Sequence, residues 1–410
     1  MTRRAPGTIA VVADPDGTAR PAPASAGGPA RRVAIVHRQT KPTLALAVGF
    51  ALASAVAAVI PHRTGAWLPL HLFLVGGLLL AISGATQLFA VTWAAGNPGP
   101  GRLVAVQRGA IAGGATLLAV ARELALPVGV VAVAGTSVLC GLLLLGVLLA
   151  GEVRSGSQRR FDPALAFYLA AVVSGTVGSI LGIFLAAGHA GLRDAHLVLN
   201  LLGLVGLVIA GTLPFFVATE TRMKTSRRAT AAAQVATLAW LVLGVGVAAG
   251  ASATGAPRVF VAAGLVVYAV GLLQLLSLLP LPGAKQLRWA GPRVLQLAAG
   301  VVWWVAACAA AAGSVVTRGL AWPEHLVLVL VVPGFAQILV GSLAYLAPVL
   351  RGGGHERLTA GFAITRSWTS FVVANLAGVA LAVSWTGAAI ALIAVWALDS
   401  AWRAARLVTA

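Results

Sequence analysis

Residues 195–218 read AHLVLNLLGLVGLVIAGTLPFFVA, 24 positions without one charged side chain. A helix needs about 20 predominantly apolar residues to cross a hydrocarbon layer of about 30 Å, so this run reads as a transmembrane helix. Eleven comparable runs flank it. They fall near 43–60, 67–95, 104–121, 126–150 and 163–188 before it, and 229–250, 257–281, 294–313, 322–350, 362–383 and 386–408 after it. The third run carries Gln107 and Arg108 near its start and Gly113-Gly114 in its interior. Charge sorting supports keeping it. With the N-terminus inside, 24 of the 29 Lys and Arg fall on the cytoplasmic side, leaving Arg63, Arg122, Arg193, Arg258 and Arg318 outside. Such a bias orients helical membrane proteins, and removing the third run would spoil it.

The whole chain has the same character. Of 410 residues 59% are hydrophobic and 10% charged, against roughly 45–50% and about 25% in soluble domains. No water-soluble fold of this size hides so much apolar surface, which excludes a soluble enzyme and a disordered chain. The formal charge of +19 is then a topology signal and not a nucleic-acid surface. Cys140 and Cys308 lie inside apolar runs and form neither a disulfide framework nor a Cys-x-x-Cys metal site. Residues 1–41 are rich in Pro, Gly, Ala and Arg and read as a disordered basic cytoplasmic tail, whose end beside the first span could touch anionic lipid. Residues 42–410 form the transmembrane domain. The expected fold is an all-α, twelve-helix, multi-pass protein of the cell membrane with both termini cytoplasmic.

One pattern recurs every four spans. His71-Leu72-Phe73-Leu74, His196-Leu197-Val198-Leu199 and His325-Leu326-Val327-Leu328 open the second, sixth and tenth runs, 125 and 129 residues apart. Further in, Ile82-Ser83-Gly84-Ala85, Ile209-Ala210-Gly211-Thr212 and Leu339-Val340-Gly341-Ser342 follow. Similarity at a fixed period signals a repeated structural unit, here of four helices. Three such units would bring the His-bearing helices to equivalent positions. Glycines along these helices permit close helix approach or leave room for a flat cofactor.

Intramembrane histidines are functional candidates, and neutral imidazole binds copper and haem iron alike. His71, His196 and His325 at one depth could therefore supply metal or haem ligands. They could also be polar residues tolerated at the headgroup boundary, or members of a proton relay. Asn200, four residues after His196, shares its helical face and could orient the imidazole or a group near it. His62 and His189 lie in outer loops; His37 and His355 fall on the other side. Trp67, Trp93, Trp289, Trp322 and Trp402 read as an interfacial belt. The acids sit at span ends or in loops except Asp399, which gives no coupling carboxylate for a secondary transporter. No phosphate-binding Gly-Lys-Ser/Thr loop is present.

The layout resembles subunit I of the haem-copper oxidases. It is closer still to the divergent nitric-oxide-response membrane haem proteins (NnrS-like) and to the membrane portion fused to some bacterial multicopper oxidases. His71 with Leu72-Phe73-Leu74, Ala195-His196-Leu197 with Asn200-Leu201-Leu202-Gly203, and Gly334-Phe335-Ala336-Gln337 through Gly341 to Pro348 carry the likeness. It implies His71 and His325 as axial ligands of a b-type haem and His196 on the helix that supplies a copper ligand. The family's His-x-His on helix ten and its copper-holding His-Pro-Glu and His-His elements are missing here, so oxygen reduction and proton pumping are not implied. What the resemblance leaves is haem or copper binding with a nitric-oxide-response, electron-transfer or metal-handling role, more a binding protein than an enzyme. A redox protein or multicopper oxidase is the implied partner beside the lipid bilayer. The competing expectation is a metal-free small-solute transporter or a structural membrane subunit.

Overall fold

The structure is a computed structural model that describes residues 28–319 and 321–409. The described residues are helical throughout, without a strand. In chain order they are α1 (Pro29–Ala57), α2 (Trp67–Thr92), α3 (Gly101–Glu123), α4 (Val128–Ser155), α5 (Asp162–Ala186), α6 (Ala190–Glu220), α7 (Ala231–Thr254) and α8 (Arg258–Leu278). A short α9 (Ala284–Ala290) precedes α10 (Pro292–Arg318), α11 (Glu324–Arg351), α12 (Gly354–Thr365), α13 (Trp368–Ala382) and α14 (Thr386–Thr409). Eleven of these are long and apolar enough to cross a membrane: all but α9, α12 and α13. The chain is a multi-pass helical membrane protein.

Two sequence boundaries move. Helix α1 begins at Pro29, so residues 29–41 extend the first helix and are not tail; residues 1–27 lie outside the described residues. The cause is a buried stripe, Val36, Thr40, Thr43, Leu44 and Ala47, at three- and four-residue helical spacing. Arg32 and Gln39 then fasten this extension by donating to the carbonyls of Ala95 and Gly99, both at 2.9 Å.

The expected run 362–383 is likewise not one helix. It breaks at Arg366-Ser367, where Ser367 caps α13 by accepting from the Ser370 amide at 2.9 Å and donates to Asp399 at 2.7 Å. Arg403 closes the break from α14, bonding Asp399 and the carbonyls of Ile364 and Arg366. The 15 residues of α13 rise only about 22 Å at 1.5 Å each, short of the hydrocarbon thickness.

Helix α6 lies at the centre. In its most apolar stretch 89% of residues are buried, against 11% in α14. Helices α2, α6 and α11 share a further feature: each contains a π-helical segment, at Leu72–Leu78, Val198–Gly206 and Leu330–Ala336. No other described helix has one. A π turn widens the helix and shifts its hydrogen-bond ladder, and such segments concentrate at functional sites. In α11 the cause is visible, because Pro333 has no N–H to donate and clashes with the carbonyl behind it. In α6 the displaced carbonyls find new donors: Ser174 of α5 bonds Leu199 at 3.0 Å, and Tyr268 of α8 bonds Leu202 at 2.9 Å.

The same three helices, with Leu44 of α1, line an apolar pocket. Ile82 and Ala85, Ile209 and Thr212, and Leu339 and Ser342 face it. These are the first and last positions of the three related four-residue segments.

Candidate functional site

The N-terminal ends of α2 and α6 are built around their histidines. His71, in the second turn of α2, stacks on Trp67 with ring centroids 3.9 Å apart, and its Nδ1 donates to the Trp67 carbonyl at 2.9 Å. Arg122, from the last turn of α3, lies 5.4 Å from the same indole. The loop before α2 is tied to the end of α3: the Arg63 amide donates to Glu123 at 2.9 Å, and the Thr64 hydroxyl bonds the same carboxylate.

His196 turns toward α5. Its Nδ1 donates to the Gly178 carbonyl at 2.8 Å. Room for this comes from two glycines one turn apart: a Cβ on Gly182 would meet the His196 ring at 2.7 Å, and one on Gly178 would meet Asn200 at 2.5 Å. Asn200 sits beside the imidazole, as its spacing predicts: its amide nitrogen lies 3.2 Å from His196 Nδ1 and donates to the His196 carbonyl at 2.9 Å. It therefore braces the turn that carries His196.

Both rings thus use Nδ1 on a backbone carbonyl, which sets the neutral tautomer with its proton on Nδ1 and leaves the Nε2 lone pair free. Metal-binding histidines are oriented in this way. Each ring thus keeps one nitrogen able to bind a metal ion.

His325 is different. It is half-buried in the first turn of α11, and among the described residues it makes no hydrogen bond that would orient its ring. The start of its helix is laced to that of α6, since Arg193 donates to the Trp322 carbonyl at 2.8 Å and the Ala321 amide donates to Asp194 at 3.3 Å. Trp322 is fully buried and not part of an interfacial belt. Among the described residues no group of three or more His, Cys, Asp or Glu is placed to hold one metal ion.

At four of the glycines on α2 and α6 a neighbouring side chain fills the space a Cβ would take. A Cβ at Gly76 would strike Phe50 at 2.3 Å, one at Gly203 Ser174, one at Gly206 Tyr268, and one at Gly211 Phe167 at 2.5 Å. Neighbouring helices occupy the space, so these positions serve close packing.

Sequence reasoning missed a charged pair at the opposite end. Glu220, the last residue of α6, is fully buried and lies 3.4 Å from Arg293 in the first turn of α10, itself 3% exposed. Neither Glu220 oxygen accepts a hydrogen bond from the described residues. Arg293 donates to the Ala290 carbonyl and sits over Phe362 at 4.6 Å. Its partner is 73 positions away, so only the span-end location of both charges hinted at the pairing.

No family model matches the chain, and no curated protein sequence matches it.

Proposed function

We propose that this chain is a cell-membrane metalloprotein of the haem-copper oxidase subunit I type, closest to the NnrS-like group, with a copper ion held by His71 and His196. The observation that carries this is the shared orientation of the two imidazoles, each with Nδ1 on a carbonyl and Nε2 free. Copper suits paired imidazole donors. Bound there, it would supply one-electron or nitric-oxide chemistry, and the protein's part is to fix the two rings and keep them neutral. Haem stands second. It would need His325 opposite His71, and among the described residues His325 lacks an orienting bond.

The same proposal includes three four-helix units. The shared π segments of α2, α6 and α11, and the matched residues around their common cavity, support it. Counting α13 as a short twelfth span returns the C-terminus to the cytoplasmic side and keeps the 24-to-5 split of basic residues. A redox partner or multicopper oxidase would dock at the outer face. The role that fits is electron transfer, metal handling or nitric-oxide response.

A second reading rests on the central apolar cavity, whose only polar lining is Thr212 and Ser342: a metal-free carrier of a small apolar solute. Elemental analysis and the visible spectrum of purified protein separate the readings. Copper retained through dialysis and lost in His71→Ala and His196→Ala supports the first. A Soret band lost in His71→Ala and His325→Ala moves the assignment to haem. Colourless, metal-free protein leaves the carrier reading.

A further inference from the structure

A second site lies at the opposite end of the bundle, where the N-terminal extension of α1 meets the end of α2 and the turn between α4 and α5. A groove of about 850 Å³, open to solvent, is lined by Arg32, Val33, Trp93, Ser157, Gln158 and Arg160 among others. Among the described residues no acidic side chain lines it. The nearest candidates are engaged elsewhere: Asp162 is 3.7 Å from Arg159, and Glu152 is buried against the Gly96–Gly99 turn.

The groove is a built feature. Arg32 is held over it by donating one Nη1 hydrogen to the Ala95 carbonyl at 2.9 Å, which leaves other guanidinium hydrogens for a ligand. The opposite wall is fixed because the Ser157 and Gln158 amides both donate to the Ala94 carbonyl, at 2.9 and 3.0 Å. Arg160 stands over Phe161 at 4.6 Å, and Trp93 stacks between Phe89 and Phe161. Val33 and Val91 add an apolar side.

Two guanidinium groups with hydroxyl and amide donors around them match the oxygens of a phosphate. An apolar wall at the edge of a membrane-spanning bundle matches the chains attached to one. We propose that this groove binds the phosphate headgroup of an anionic phospholipid, with Arg32 and Arg160 as its principal contacts and an acyl chain leaving past Val33. Basic pockets between transmembrane helices recognise lipid headgroups by this chemistry. Binding would clamp α1 to α2 and to the α4–α5 turn.

The test uses full-length protein, delipidated in neutral detergent, with thermal melts after adding phosphatidylglycerol, phosphatidylcholine or inorganic phosphate. Wild type should be stabilised by phosphatidylglycerol by several degrees, on the order expected for a ligand at about 100 times its Kd, and phosphatidylcholine should do less. The Arg32→Ala/Arg160→Ala variant should lose that shift, while Arg102→Ala, a basic residue outside the groove, should keep it. If the double variant fails to fold, Gln158→Glu puts a repelling charge on the exposed rim and should abolish the shift alone. A shift of equal size with inorganic phosphate, lost in the same variants, would keep the phosphate site and make its source soluble. Shifts that are equal in wild type, Arg32→Ala/Arg160→Ala and Gln158→Glu would overturn the proposal.

Discussion

Removing the Glu220 carboxylate should be among the most damaging single changes in the transmembrane domain. Glu220 is fully buried and Arg293 nearly so, at 3.4 Å. At an effective dielectric constant of about 20, Coulomb's law puts their attraction at about 5 kcal/mol. Deleting one partner of a buried pair leaves the other as an uncompensated charge, at a cost of about 3–5 kcal/mol. Glu220→Ala should therefore lower the free energy of reversible unfolding in mixed micelles by about that amount. Glu220→Leu combined with Arg293→Met should recover most of the loss, because two apolar side chains of similar volume need no compensation. The measurement is the unfolding midpoint and slope of wild type, both single variants and the double variant. A loss below about 1 kcal/mol in Glu220→Ala, the size of an exposed pair, would show that water reaches the charges. A double variant no better than the singles would refute the pair as the cause.

Other outcomes follow from single contacts. Ser367→Ala removes the cap of α13 and the bond to Asp399, and should cost about 1–2 kcal/mol, seen as faster hydrogen exchange of the 366–370 amides. Gly182→Ala places a Cβ 2.7 Å from the His196 ring; copper affinity should fall by about tenfold or more, as when a ligand's supporting contacts are lost, with the helical circular-dichroism spectrum unchanged. His62 bonds the carbonyls of Ile60 and Gly65, which hold its imidazole above the usual value. A raised folded pKa contributes stability that is present at acid pH and lost as pH rises through the folded value. Proteolysis of the 58–66 loop should therefore speed up from pH 6 to pH 8.5, and His62→Gln should flatten that dependence.

Much of the architecture was legible because apolar runs of membrane-spanning length leave few alternatives. The run around α6 announced a membrane-length helix, and His71 and His196 stood at the starts of the second and sixth runs. Other features had weak signals or none. The stripe that makes residues 29–41 helical is interleaved with Arg31, Arg32, Arg38 and Lys41, which hid it within a basic segment. The break at Ser367 showed only as a polar Arg366-Ser367 pair inside an apolar run. Of the three π segments, only the one with Pro333 carries a residue that demands it; Leu72–Leu78 and Val198–Gly206 look like ordinary helix. The orientation of each imidazole depends on a carbonyl of fixed position, Trp67 four residues back in one case and Gly178 on another helix in the other. The first is local, whereas the second needs the packing of α5 on α6.

The central claim is that His71 and His196 ligate one copper ion together. Electron paramagnetic resonance of the Cu(II)-loaded, dialysed protein tests it most directly, because nitrogen nuclei bound to copper split its spectrum. The account predicts a single copper species with splitting from two imidazoles, reduced to one in His71→Ala or His196→Ala and unchanged in His325→Ala. A spectrum with no nitrogen splitting, or one indifferent to His71→Ala and His196→Ala, would contradict it.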